Sequence, residues 1–229
     1  MRLPRFRSLL TIIVGLALAF PAQAAAAPTD TGASPAGLTA APIGGGSELT
    51  FNSSGRCTAA FAATQASEWY LIAGGACGSA GDTVSSGGVH VGTVVAAQFP
   101  QGAHTLVSVT NKSDWDLVAW AGPAPVTIRG SNQAPVGSQV CLIGSTTGVH
   151  CGTVTALNAT INFPEGTITG VTQTSVCAEP GDRGSAFISG DQAQGVLIGG
   201  SGNCSSGGET FFQPIDYILS LYGLTLLTG

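Results

Sequence analysis

Reactive side chains are few in this sequence of 229 residues: three histidines, six cysteines and twelve carboxylates. The histidines, His90, His104 and His150, are scattered, and no Cys-x-x-Cys pair occurs, so the sequence predicts neither a metal site nor a cofactor. The cysteines fall at 57, 77, 141, 151, 177 and 204. An even set of this size in an exported chain reads as three disulfides, each contributing roughly 2–4 kcal/mol, although sequence alone permits about 15 connectivities.

The densest chemistry lies in residues 177–208, CAEPGDRGSAFISGDQAQGVLIGGSGNCSSGG. Its centre is the turn Gly181-Asp182-Arg183-Gly184. A guanidinium stays protonated at any working pH and carries no lone pair with which to attack a carbonyl. Arg183 therefore cannot act as a nucleophile. Ser185 follows two residues later with no histidine near it in the sequence, which argues against a displaced nucleophile. Asp116 reads as a loop carboxylate.

The elements that must position these residues are β-strands. Short apolar runs recur between Gly-rich turns: Trp69-Tyr70-Leu71-Ile72, Leu117-Val118-Ala119-Trp120 and Gly195-Val196-Leu197-Ile198. That spacing predicts an all-β barrel or sandwich. One helix closes the chain: Ile215, Ile218, Leu219 and Tyr222 follow a helical stripe after Pro214, and Gly223 supplies the stop.

Residues 1–24 read as a signal peptide, with Arg2, Arg5 and Arg7, an apolar run from Leu9 to Phe20, and Ala22-Gln23-Ala24 as the cleavage pattern. The expected product is secreted. Residues 25–42 read as a flexible leader or short pro-segment, and 43–229 as one domain. Beyond the signal, four basic side chains face twelve acidic ones, a net charge of −8. This argues against nucleic acid or an anionic membrane as partner. No later segment is long and apolar enough for a transmembrane helix, and the domain is expected to be a monomer.

From Ile43 onward the chain resembles the bacterial streptogrisins, secreted serine proteases of the chymotrypsin fold. The resemblance rests on Ile43-Gly44-Gly45-Gly46, Ser54-Gly55-Arg56-Cys57 and Gly144-Ser145-Thr146-Thr147-Gly148 ahead of His150-Cys151-Gly152. Cys177-Ala178-Glu179-Pro180-Gly181-Asp182, Gly199-Gly200-Ser201-Gly202-Asn203-Cys204 and Phe211-Phe212-Gln213-Pro214 add to it. It implies two antiparallel six-stranded β-barrels with a cleft between them and a C-terminal helix. It also implies disulfides 57–77, 141–151 and 177–204.

The family's catalytic positions then read as follows. The histidine position before the second cysteine is Ala76, the aspartate position in Asp114-Trp115-Asp116-Leu117 is Asp114, and the serine position is Arg183. The serine that holds the triad aspartate is replaced by Ile198, and the arginine that pairs the loop aspartate is replaced by Leu142. Three alternatives are open for Asp182: Arg129 substitutes, the freed amine of Ile43 substitutes, or the loop around Gly181 has moved. The N–H groups of Gly181 and Arg183 remain as an oxyanion-hole remnant, and Gly199 and Gly200 as a peptide-binding remnant.

These readings predict a protein that is not an enzyme, a pseudoprotease binding a peptide, protein or glycan in the old cleft. A hydrolase with a rearranged site and a cell-surface interaction protein with a filled cleft are the alternatives. Asp114 is expected to be buried and to receive the guanidinium of Arg183.

Overall fold

In the computed structural model, the described residues are 39–122, 125–144 and 147–229. The expected signal peptide, most of the leader, and Ser145-Thr146 of the streptogrisin-like stretch lie outside them.

Alternating burial along each strand drives the fold. In β2 (Glu48–Phe51) the pattern is strictly out-in, with Leu49 and Phe51 buried. The first ring joins β2, β3 (Gly55–Gln65), β4 (Glu68–Gly74), β5 (Thr83–Ser86), β6 (Val89–Gln98) and β7 (His104–Val109), with β3 pairing both β2 and β4. Before it, β1 (Ala41–Ile43) pairs in parallel with β8 (Trp115–Leu117), and Ala41 and Pro42 lie in this strand. The short pair β9 (Trp120–Ala121) and β10 (Val126–Thr127) crosses to the second half.

The second barrel is closed by β11 (Gln139–Gly144), β12 (Gly148–Phe163), β13 (Gly166–Thr174), β14 (Ala186–Ser189), β15 (Gln192–Asn203) and β16 (Gly207–Pro214). Helix α1 (Ile215–Tyr222) follows, and β17 (Thr225–Leu226) returns to the first ring against β3. The helix ends as the sequence predicts, with Gly223 at φ 62° and its N–H on the last carbonyls. Pro214 is extended, standing just before the helix rather than in its first turn.

Each barrel has its own core: Leu49, Phe51, Leu71, Val91 and Val107 in the first, and Val140, Leu142, Phe187, Leu197 and Phe212 in the second. Between them Phe61, Ile72 and Leu106 pack against Ile143, Val196 and the helix residues Ile215 and Ile218. This shared apolar layer fixes the cleft, because moving one barrel would expose it. The disulfides are Cys57–Cys77, Cys141–Cys151 and Cys177–Cys204, as the resemblance implies. No helix among the described residues is long and apolar enough to cross a membrane.

Candidate active site

The two barrels touch backbone to backbone where the chemistry-bearing loops meet. A Cβ on Gly74 would lie 2.8 Å from the Cα of Gly184, and one on Gly184 2.8 Å from the nitrogen of Gly74. Gly184 also holds φ at +85°, a conformation open to glycine at little cost. This contact joins the loop carrying half-buried Ala76, two residues past Gly74, to the loop carrying Arg183, next to Gly184.

The third predicted position is elsewhere. Asp114 is exposed, accepts from Asn111 Nδ2 at 2.9 Å and lies 3.4 Å from Ser113 Oγ. Its segment is tied to the N-terminal strand, and the buried residue there is Trp115, whose indole donates to the His90 carbonyl. The expectation of a buried Asp114 receiving Arg183 is therefore corrected. The residue packed on the 74–76 loop is Ala103: a Cβ on Gly75 would lie 2.7 Å from its Cα, and Ala103 shares an apolar cluster with Ile198. Sequence reasoning missed it because an alanine advertises no chemistry, while the nearest acidic motif drew the match.

Asp182 is fully buried and satisfied without a cation. Its carboxylate accepts from Thr147 Oγ1 at 2.7 Å, the Thr147 amide at 3.3 Å and the Glu179 amide at 3.0 Å. Arg129, one of the alternatives, faces Asp191 at 3.8 Å instead. Hydrogen-bond donors meet the need that the missing arginine left.

The second barrel carries an open binding face. Strand β15 pairs with β16 as far as Asn203, but on its other side β14 stops at Ala186–Val196, followed only by the Gly184–Leu197 and Ser185–Leu197 bonds. From Ile198 to Gly202 that edge has no strand neighbour among the described residues. A cavity of about 370 Å³ lies along it, lined by Ala178, Gly181, Arg183, Ile198, Gly199 and Gly202, among others. At Gly199 a Cβ would meet only Phe163, at 4.0 Å, whereas at Gly200 it would strike the Glu209 carbonyl at 2.0 Å. Gly199 thus faces open space, and Gly200 is glycine because the β16 backbone passes behind it.

Ser185 is fully buried with no partner for its Oγ among the described residues, so it is closed to substrate. His150 lies beside Cys177 and Cys204, with ligand atoms within 4.8 Å, but both sulfurs are spent in a disulfide and offer no thiolate to a metal. His104 is fully buried. Its Nδ1–H donates to the Gly102 carbonyl and its Nε2 accepts from the Tyr222 hydroxyl, both at 2.8 Å. Burial pushes its pKa below the ordinary imidazole value, partly opposed by the Gly102 carbonyl.

Comparison with known proteins agrees with this arrangement. The family model described as Trypsin matches residues 45–221. The chain belongs to the trypsin family. It is 48% identical over 193 residues to streptogrisin-C of Streptomyces griseus, covering 82% of this chain and 42% of that protein. It is 40% identical to serine protease 2 of Streptomyces fradiae over 73% of this chain and 100% of the relative. The crystal structure of Nocardiopsis protease superposes with a TM-score of 0.75 at 46% identity, covering 82% of this chain and 100% of that one. The chain spans less than two thirds of the streptogrisins it matches, at 42%, 47% and 61% of their lengths.

These relatives overturn the expectation that the chain is not an enzyme. That expectation was drawn from Ala76 and Arg183 against a family whose matching members carry protease names, at 40% identity along the whole of one of them. It also counted Asp114 as a triad position, which the structure does not support. The family is a protease family, and its chemistry is the starting point for function.

Proposed function

We propose that the domain engages an extended polypeptide in the cleft of its second barrel. In a family of serine proteases the corresponding chemistry is hydrolysis of a peptide bond. Here it would run from a site arranged differently from the residues the resemblance led one to expect, since 76 is alanine and 183 is arginine. The observation that carries the reading is the free edge of β15 beside a cavity large enough for a side chain. A peptide adding to that edge would gain main-chain hydrogen bonds, with alternate side chains turned into the cavity. The three disulfides suit action outside a reducing cytoplasm.

The test pairs binding with turnover. Extended peptides should bind saturably, and Gly199→Trp, which fills open space without striking backbone, should abolish it. Mass spectrometry of the same mixtures reads new peptide termini, and a mapped fluorophosphonate adduct would name the reacting serine. Failure of every extended peptide to bind at millimolar concentration would overturn the reading.

A further inference from the structure

Four basic side chains lie in the described domain, and three are matched to carboxylates. Arg56 faces Glu48 at 3.6 Å, Lys112 faces Glu68 at 3.5 Å, and Arg129 faces Asp191 at 3.8 Å. Arg183 is exposed, lines the cleft cavity and makes no ion pair or side-chain hydrogen bond among the described residues. In a domain carrying four basic and eleven acidic side chains, a net charge of −7, a lone guanidinium over a cavity is out of keeping with its surroundings.

Two further donors lie beside it. Among the described residues the backbone N–H groups of Gly181 and Arg183 have no acceptor, although Asp182 and Ser185 donate within the loop and Gly184 donates to the Leu197 carbonyl of β15. Gly181 sits at φ +108°, a left-handed conformation that helps to turn successive amides to one side. The carboxylate on the lining, Glu179, is engaged by the Cys204 amide at 2.8 Å. The loop therefore offers a permanent cation and two backbone donors at the end of an open strand edge.

We infer that this site captures the free α-carboxylate at the C-terminus of a peptide. The inference rests on the peptide-cleft reading and specifies which part of the ligand the cleft selects. A carboxylate has two oxygens: one can take the backbone N–H pair while the other faces the guanidinium. An internal peptide group offers one neutral carbonyl oxygen and leaves the arginine unmatched. A peptide laid along Ile198–Gly202 would put its last residue's side chain in the cavity and its chain end at the loop. The ligand class is thus peptides ending in a free carboxylate, such as the products of another protease's cut.

The experiment uses fluorescence anisotropy with N-terminally fluorescein-labelled Ala-Ala-Val-Leu as the free acid and as the C-terminal amide, and Ala-Ala-Val-Glu as the amide. The wild-type protein should bind the free acid at least ten-fold more tightly than the leucine amide. Arg183→Met should remove that preference, and Arg183→Lys should keep part of it, because the charge survives and the two-pronged geometry does not. Equal affinity for acid and amide overturns carboxylate capture while leaving the peptide cleft standing. Glutamyl amide binding as tightly as the free acid also overturns it, reassigning the site to a side-chain carboxylate. No binding of any probe, with Gly199→Trp unchanged from wild type, brings down both readings.

Discussion

The two barrels treat their polar groups in opposite ways. In the first, buried polar groups are closed off. His104 is held between Gly102 and Tyr222, Asp82 accepts from Ser53 and the Ser79 amide, and Ala76 and Ala103 present methyl groups. In the second, one strand edge, two loop amides and a guanidinium lack partners among the described residues. Buried polar groups are costly unless paired, so closing them serves stability, whereas exposed unpaired donors stand ready for a ligand. Closed and open polar groups are thus divided between barrels of similar architecture.

The strongest way to break this division is to give the first barrel chemistry. Ala76→His, Ala103→Asp, Arg183→Ser and Ile198→Ser together should raise peptide hydrolysis above wild type by on the order of 100-fold or more, since base, orienter and nucleophile act as a unit. The same set without Ala103→Asp should fall far short despite an intact Asp114, and equal rates from both sets would show Ala103 misplaced. Steady-state rates on a fluorogenic peptide decide it.

Next in size is the contact between the barrels. Gly184→Val adds a branched side chain at positive φ against Gly74 and should cost roughly 2–5 kcal/mol in urea unfolding. Loss below 1 kcal/mol would show that the barrels separate easily there.

Thr147→Val tests how the second barrel supports its loop. Asp182 would lose its hydroxyl donor, at a cost of about 1.5–3 kcal/mol, and peptide affinity should fall with it. Unchanged stability would mean that the two amides suffice for the carboxylate.

The smallest effect is a pH dependence of the first barrel. His104 has a folded pKa below the ordinary value near 6.5, so the unfolded chain binds more protons once pH falls below that value. Its contribution is complete above pH 6.5 and declines as pH drops toward the folded pKa. At the other extreme, burial and neighbouring Tyr217 push Tyr222 above its usual value of 10, so no loss from this pair is expected at neutral pH. His104→Gln should flatten the slope of stability between pH 6.5 and 5. An unaltered slope would remove His104 as its source.

Much of the scaffold was legible in the residues themselves. The apolar runs in β4 and β15 marked strands, and the stripe from Ile215 to Tyr222 with Gly223 marked the helix. The run at 117–120 was less clear, because β8 ends at Leu117 and β9 begins only at Trp120. The motifs around the cysteines carried the disulfide pairing, and the turn at 181–184 marked the loop of the candidate site.

What the sequence determined on its own was local: which segments are extended, where the chain turns, and that residue 183 carries a charge instead of a hydroxyl. Tertiary structure decided which distant groups meet. Asp182 is satisfied by Thr147, 35 positions away, and His104 by Tyr222, 118 positions away. Asp114 lies at an exposed edge because β8 pairs with β1, while Ala103 packs under the 74–76 loop. The physical reason is that burial and hydrogen bonding belong to pairs of groups, and pairs across a barrel leave no periodic trace in the chain. Whether Arg183 would be neutralised or left free over a cavity was likewise decided by where the remaining carboxylates came to rest.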